Sequence, residues 1–143
     1  MTSRVLTVLV IATSGVTAAA SPQDSLARAA ERVRRAWLAH DVQAIVGQSP
    51  RLVLQIPGAD PSAPLERAQA AELLRRHLQR VVERAVAVGA VREVEPGHGY
   101  AELDRRYVVA GTSDERRETI FLRFRKPGSE WLLTELRIAR NAP

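Results

Sequence analysis

The sequence predicts an α+β domain in which helices pack against a curved, mainly antiparallel sheet. The main observation is a change of period near the middle of the chain. Up to about Glu83 the apolar residues recur at helical spacing, and beyond it they alternate as in strands. The second observation is punctuation. Between Ala85 and Ile138 there is room for four antiparallel strands, separated by Pro96-Gly97-His98-Gly99, Gly111-Thr112-Ser113-Asp114 and Pro127-Gly128-Ser129. Helices followed by a meander give an α+β arrangement.

Residues 1–20 stand apart from that domain. A basic start at Arg4, an apolar stretch from Val5 to Ala12 and the small residues Ala18-Ala19-Ala20 have the order of a signal peptide, with cleavage expected after Ala20. The competing reading is an uncleaved anchor. It needs ~20 strongly apolar residues, and Thr13, Ser14, Gly15 and Thr17 dilute the second half. The expectation is an exported chain, periplasmic or secreted, with no stable membrane anchor after cleavage. Residues 21–143 then form one domain by length. The chain has no cysteine, so neither a disulfide nor a lipidated cysteine can hold it.

Asp24 or Ser25 can cap a first helix running to about Ala39, with Leu26, Ala29, Ala30, Val33, Ala36, Trp37 and His40 on one side. Asp41 caps a short second helix, Val42 to Gly47, closed by Gly47 and Pro50. Residues 51–56 read as a strand with Leu52, Leu54 and Ile56 inward, and 57–64 as a proline- and glycine-rich loop. A third helix is expected from Leu65 to about Glu83. The strands follow: Val86, Val88, Ala90 and Val94 share one face, interrupted by Arg92. Ala101, Leu103, Tyr107 and Val109 share the next, interrupted by Arg105. Ile120, Leu122 and Phe124 line the third strand, and Leu132, Thr134, Leu136 and Ile138 the fourth.

Composition excludes more than it assigns. The net charge is +5, Lys126 is the only lysine, and the arginines come in pairs beside acidic residues rather than as a basic run. Aromatics make up 4% of the chain, so the stacking residues of a nucleic-acid footprint are missing and no nucleic-acid partner is expected. His40, His77 and His98 lie far apart, with no metal-ligand spacing among them. There is no nucleophile elbow and no glycine loop opening a helix. No metal and no cofactor are expected.

The segment Trp37-Leu38-Ala39-His40-Asp41-Val42-Gln43-Ala44-Ile45 and the closing Glu130-Trp131-Leu132-Leu133-Thr134-Glu135-Leu136-Arg137-Ile138 are local marks of a wider order, helix–helix–strand–helix–four strands. That order resembles the nuclear-transport-factor-2-like, or cystatin-like, superfamily over roughly residues 24–140. The resemblance implies a cone-shaped fold, three N-terminal helices packed in a curved mainly antiparallel sheet, often with an open pocket. It implies a choice of functions as well, since the superfamily holds steroid isomerases, polyketide cyclases, dehydratases, transport adaptors and uncharacterised domains.

Polar residues on core-facing positions supply the candidate site: Arg105, Tyr107 and His40. Arg105 falls on an apolar face, where a buried guanidinium needs a carboxylate partner, an anion, or a bulge that turns it to solvent. Tyr107, two residues on, either donates to a ligand oxygen or fills the core with its hydroxyl at the rim. His40 is either a general base or the residue that complements the end of the first helix, with Asp41 capping the next. No carboxylate is expected on the core faces of the third and fourth strands, and Glu118 is expected in solvent at a strand start. The leading expectation is a noncatalytic domain binding a small apolar or acidic ligand through Arg105, Tyr107 and His40. The alternatives are a cyclase-, isomerase- or dehydratase-like enzyme, and an interaction module that dimerises through an outer sheet face carrying Phe121, Trp131 and Leu133.

Overall fold

A computed structural model describes residues 21–142 together with Gly15; the signal segment read over residues 1–20 otherwise lies outside the described residues. The chain runs α1 (Pro22–Leu38), α2 (Val42–Val46), β1 (Arg51–Gln55), β2 (Leu65–Glu66), α3 (Arg67–His77), β3 (Val81–Glu95), β4 (His98–Val109), β5 (Glu115–Arg125) and β6 (Leu132–Arg140). The sheet order is β2-β1-β6-β5-β4-β3. All pairs are antiparallel except β1 with β6, which is parallel.

Two parts of the sequence expectation are corrected here. Only α1 and α2 precede the sheet, and α3 is inserted between β2 and β3, so the helices are not three in an N-terminal row. The sheet is also not a cone. Its edges are β2, only two residues long, and β3, and they do not pair with each other, so the six strands form an open mixed sheet. Closure needs a continuous ladder with a matching stagger, and a two-residue edge cannot provide one.

Local chemistry accounts for the helix starts. Ser21 caps α1 by accepting from the Asp24 amide at 3.2 Å, and Pro22 enters the first turn, where its missing N–H costs nothing. Asp41 caps α2 by accepting from the Ala44 amide at 3.1 Å, as the sequence indicated. The third helix is shorter than its apolar spacing predicts. It stops at His77, Arg80 takes a left-handed φ of 61°, and Val81-Val82 go into β3 against Val109 and Val108. Two β-branched residues opposite two more favour the ladder over another helical turn.

Register shifts in β3 explain another departure. Between Val88 and Val91 the strand gains a residue relative to β4. The shift turns Val91 toward the core and Arg92 outward, where its guanidinium lies 5.2 Å from the Tyr100 ring centre. A shift between β5 and β6 brings Leu133, rather than Leu132 or Thr134, into the core. Trp131 is buried too and donates to Ser25 Oγ at 2.9 Å. The outer face therefore lacks Trp131 and Leu133. It keeps Phe121, which stacks on Tyr100 with ring centres 6.5 Å apart.

The core lies between α1, α2, α3 and the inner face of the sheet, with Leu26, Trp37, Leu74, Leu103, Leu122 and Leu136 fully enclosed. Burying such side chains stabilises the fold by about 1.5–3 kcal/mol each.

Candidate functional site

At one end of this core the apolar filling gives way to charge. Arg105 is 1% exposed and points inward with no register shift between β4 and β5, so the bulge reading fails for it and the ion-pair reading holds. Its Nε donates to both oxygens of Glu83 at 3.0 and 2.9 Å, and its Nη2 donates to Glu83 as well. Its Nη1 donates to Glu118 Oε2 at 2.8 Å. The guanidinium carbon lies 4.0 Å from the Tyr107 ring centre and 5.2 Å from that of Trp37. Tyr107 donates its hydroxyl to the other oxygen of Glu118 at 2.9 Å. His40 Nε2 lies 3.0 Å from Glu83 Oε1.

Arg105, Tyr107 and His40, predicted separately from the sequence, thus meet in one network. Its two carboxylates, Glu83 and Glu118, were not foreseen. Glu118 alternates correctly with Ile120, Leu122 and Phe124, yet its place at the start of β5 pointed to solvent; it is 1% exposed because Arg105 sits directly opposite it in β4. Glu83 was assigned to the third helix. It belongs to β3, and the register shift between Glu83 and Ala85 lets both Glu83 and Val86 face the interior. For Glu118 the signal was available: its phase in β5 together with an inward arginine on the neighbouring strand.

The network is short of cations. One buried guanidinium faces two buried carboxylates, with His40, its side chain 30% exposed, at the edge. Both Glu118 oxygens and both Glu83 oxygens are engaged. Burial, then the neighbouring Glu118, push the Tyr107 hydroxyl above its ordinary pKa. His77, at the end of α3, is held below the usual histidine value, mainly by burial, while Glu118 acts in the opposite sense. Its Nε2 and the Trp37 indole N–H are buried without a hydrogen-bond partner.

In front of the network lies an open cleft of about 750 Å³, lined by Tyr107, Glu115, Arg116, Arg117, Arg140 and Asn141 among others. Arg116 stands opposite Tyr107 in the β4–β5 ladder, and Arg140 opposite Glu118 in the β5–β6 ladder. Glu115 is held by Arg106 at 3.1 Å, whereas Arg116, Arg117 and Arg140 have no ion-pair partner among the described residues. The cleft is lined by Tyr107 but by neither Arg105 nor His40. Among the described residues no group of three or more metal-ligating side chains could hold an ion, and no helix is long and apolar enough to cross a membrane.

The class that fold and site define is an open-sheet α+β domain with an internal ion-pair network behind an arginine-lined mouth. Its fold is that of the nuclear-transport-factor-2-like, cystatin-like superfamily, shared at low sequence identity with several uncharacterised bacterial proteins. The chain is similar to a ketosteroid isomerase-like protein from Erwinia carotovora atroseptica, with a TM-score of 0.71 and 15% identity over 85% of this chain and 97% of that one. It is similar to a Nostoc punctiforme domain of unknown function with a cystatin-like fold, with a TM-score of 0.67 and 14% identity over 87% of this chain and 81% of that one. A LEH-like epoxide hydrolase from M. tuberculosis aligns with a TM-score of 0.60 and 16% identity, over 85% of this chain and 86% of that one. No protein-family description and no curated protein matches the sequence. The fold is thus shared by proteins named as enzymes and by proteins with no assigned activity.

Proposed function

We propose that this chain is an exported, noncatalytic domain that binds a small acidic ligand in the cleft floored by Tyr107. The observation that carries this reading is the set of Arg116, Arg117 and Arg140 around Tyr107 with no carboxylate of their own. Guanidinium groups in that arrangement suit a carboxylate or phosphate, each charged hydrogen bond contributing about 1.5–3 kcal/mol. Arg105 acts from behind, fixing Glu118 and through it the Tyr107 hydroxyl. His40 closes the network at Glu83.

An enzyme of the isomerase, cyclase or dehydratase kind would rely on the Tyr107–Glu118 pair at 2.9 Å for proton transfer. Glu118 is also bound by Arg105 Nη1, which favours its charged form and ties it to a structural task, so the binding reading is the better supported. Calorimetric titration with citrate tests it. The expected result is saturable binding, weakened at least tenfold in an Arg116→Ala/Arg140→Ala double variant. Equal affinity in both proteins would refute the proposal.

We also propose that two copies meet through the outer sheet face, where Tyr100 and Phe121 stack and Val94 is 56% exposed. Sedimentation velocity should find a dimer that Phe121→Asp dissociates; a monomeric parent protein would rule this out.

A further inference from the structure

The opposite end of the core holds a second, smaller recess. It has a volume of about 320 Å³ and lies between α1, α2 and the turn that joins β5 to β6. Its walls are mostly apolar: Ala29 and Val33 from α1, Ile45 from α2, and Phe124, Trp131 and Leu133 from the sheet. All of these wall residues are buried. The Trp131 ring is fixed by its bond to Ser25 Oγ and by Lys126 Nζ, 5.7 Å from its centre.

One polar group in this wall is out of keeping with the rest. Ser49 is 1% exposed, lines the recess, and its Oγ has no hydrogen-bond partner. The surrounding backbone is fully used. The Ser49 amide donates to the Val46 carbonyl at 3.3 Å, the Ser49 carbonyl accepts from Arg67 Nε at 3.4 Å, and the Gln48 carbonyl accepts from Arg67 Nη2 at 3.4 Å. The segment is therefore held rigid, with its one spare polar group, the hydroxyl, left over. A buried hydroxyl without a partner is costly, and a structure retains one where something else supplies the bond.

We infer that this recess is a binding site for a small, uncharged, mainly apolar molecule carrying one oxygen, of the alcohol or ketone class, hydrogen-bonded to Ser49 Oγ. The size lies at the lower end of small-molecule pockets, and the lining has their usual make-up of apolar walls with a single directional polar group. Charge decides against an ionic ligand. The exposed Arg32 and Glu130 stand at the rim with opposite signs, and no ionisable group reaches the interior. The site is separate from the arginine cleft and does not depend on it.

Cyclohexanol and cyclohexanone are suitable probes, titrated against the isotopically labelled protein and followed by NMR. The expected result is saturable shifts at the amides of Gly47, Gln48 and Ser49 and at the Trp131 indole N–H. Ser49→Ala should weaken binding about fivefold, the loss of one neutral hydrogen bond, while leaving the thermal midpoint unchanged. Ala44→Leu, at an exposed position lining the recess, should abolish binding without unfolding the protein. The site is overturned if the shifts do not saturate, or if Ser49→Ala binds as tightly as the parent. A clearly lowered midpoint for Ser49→Ala also overturns it, since the hydroxyl would then belong to the fold.

Discussion

Arg105 decides most of what happens at the scale of single residues. Its guanidinium compensates two carboxylates that are each almost fully buried, so removing it leaves both charges unpaired in the interior. Arg105→Ala should destabilise the domain by about 3–5 kcal/mol in urea unfolding, far more than loss of an exposed pair. A loss below ~1 kcal/mol would mean that the network is not closed as described. Gly99 makes a different kind of demand. A Cβ there would lie 2.5 Å from Leu26 Cδ1 and 3.2 Å from the Trp131 ring, because α1 crosses β4 at this point. Gly99→Ala should cost about 1–3 kcal/mol through overpacking, visible as a lowered unfolding midpoint.

Protonation belongs to the same scale. Burial lowers the His77 pKa in the folded state, so the unfolded chain takes up the proton more readily. Its contribution to stability is complete above the unfolded value of about 6.5 and is lost as pH falls below it. The groups acting on this ring are Glu118, Arg105, Glu83 and Arg140. Replacing it, as His77→Leu, should flatten the decline in urea midpoint between about pH 7.5 and pH 5; an unchanged decline would assign the acid sensitivity elsewhere. Tyr100 shifts the other way. Desolvation and its bond to Glu102 push it up to about 12, and Tyr107 is raised as well. The stability from keeping these hydroxyls neutral is present below about pH 10 and disappears as pH rises through the folded values. Tyrosinate absorbance should therefore appear later in the folded protein than in urea.

Among the elements, α2 shows how far sequence reading reaches. Its cap at Asp41 follows from one side chain and three residues of spacing, and Asp41→Ala should cost about 1 kcal/mol by the same measure. The end of α3 was not legible. Residues 78–83 keep a plausible helical stripe, and only the opposing Val108-Val109 of β4 draws Val81-Val82 into a strand. Strand phase was misread for a related reason. A β-bulge inverts every side chain beyond it, and nothing in the local sequence marks the shifts that turn Arg92 out and Leu133 in. Where the ladder has no shift, as between β4 and β5, the alternation of Ala101, Leu103, Arg105 and Tyr107 gave the buried face correctly.

For the whole molecule, charge and shape combine at one mouth. The net charge of +5 and the unpaired arginines make the proposed cleft attractive to anions, and its openness exposes it to salt. Citrate affinity should fall several-fold between low salt and ~0.3 M NaCl, as it would for charges that solvent can reach. An affinity independent of salt would place the ligand deeper, within the Arg105 network itself. The open edge at β3 is managed in part by α1, whose Arg34 Nη1 reaches the Val86 carbonyl at 3.3 Å.

By itself the sequence determined the order of helices and strands, the superfamily resemblance, and the inward-facing Arg105 and Tyr107, because period and register are properties of neighbouring residues. The tertiary structure decided that the sheet stays open, that α3 ends early, and that Glu83 and Glu118 meet at one guanidinium. Those outcomes depend on contacts between segments far apart in the chain, and the bulges that bring them about leave no mark in the local alternation.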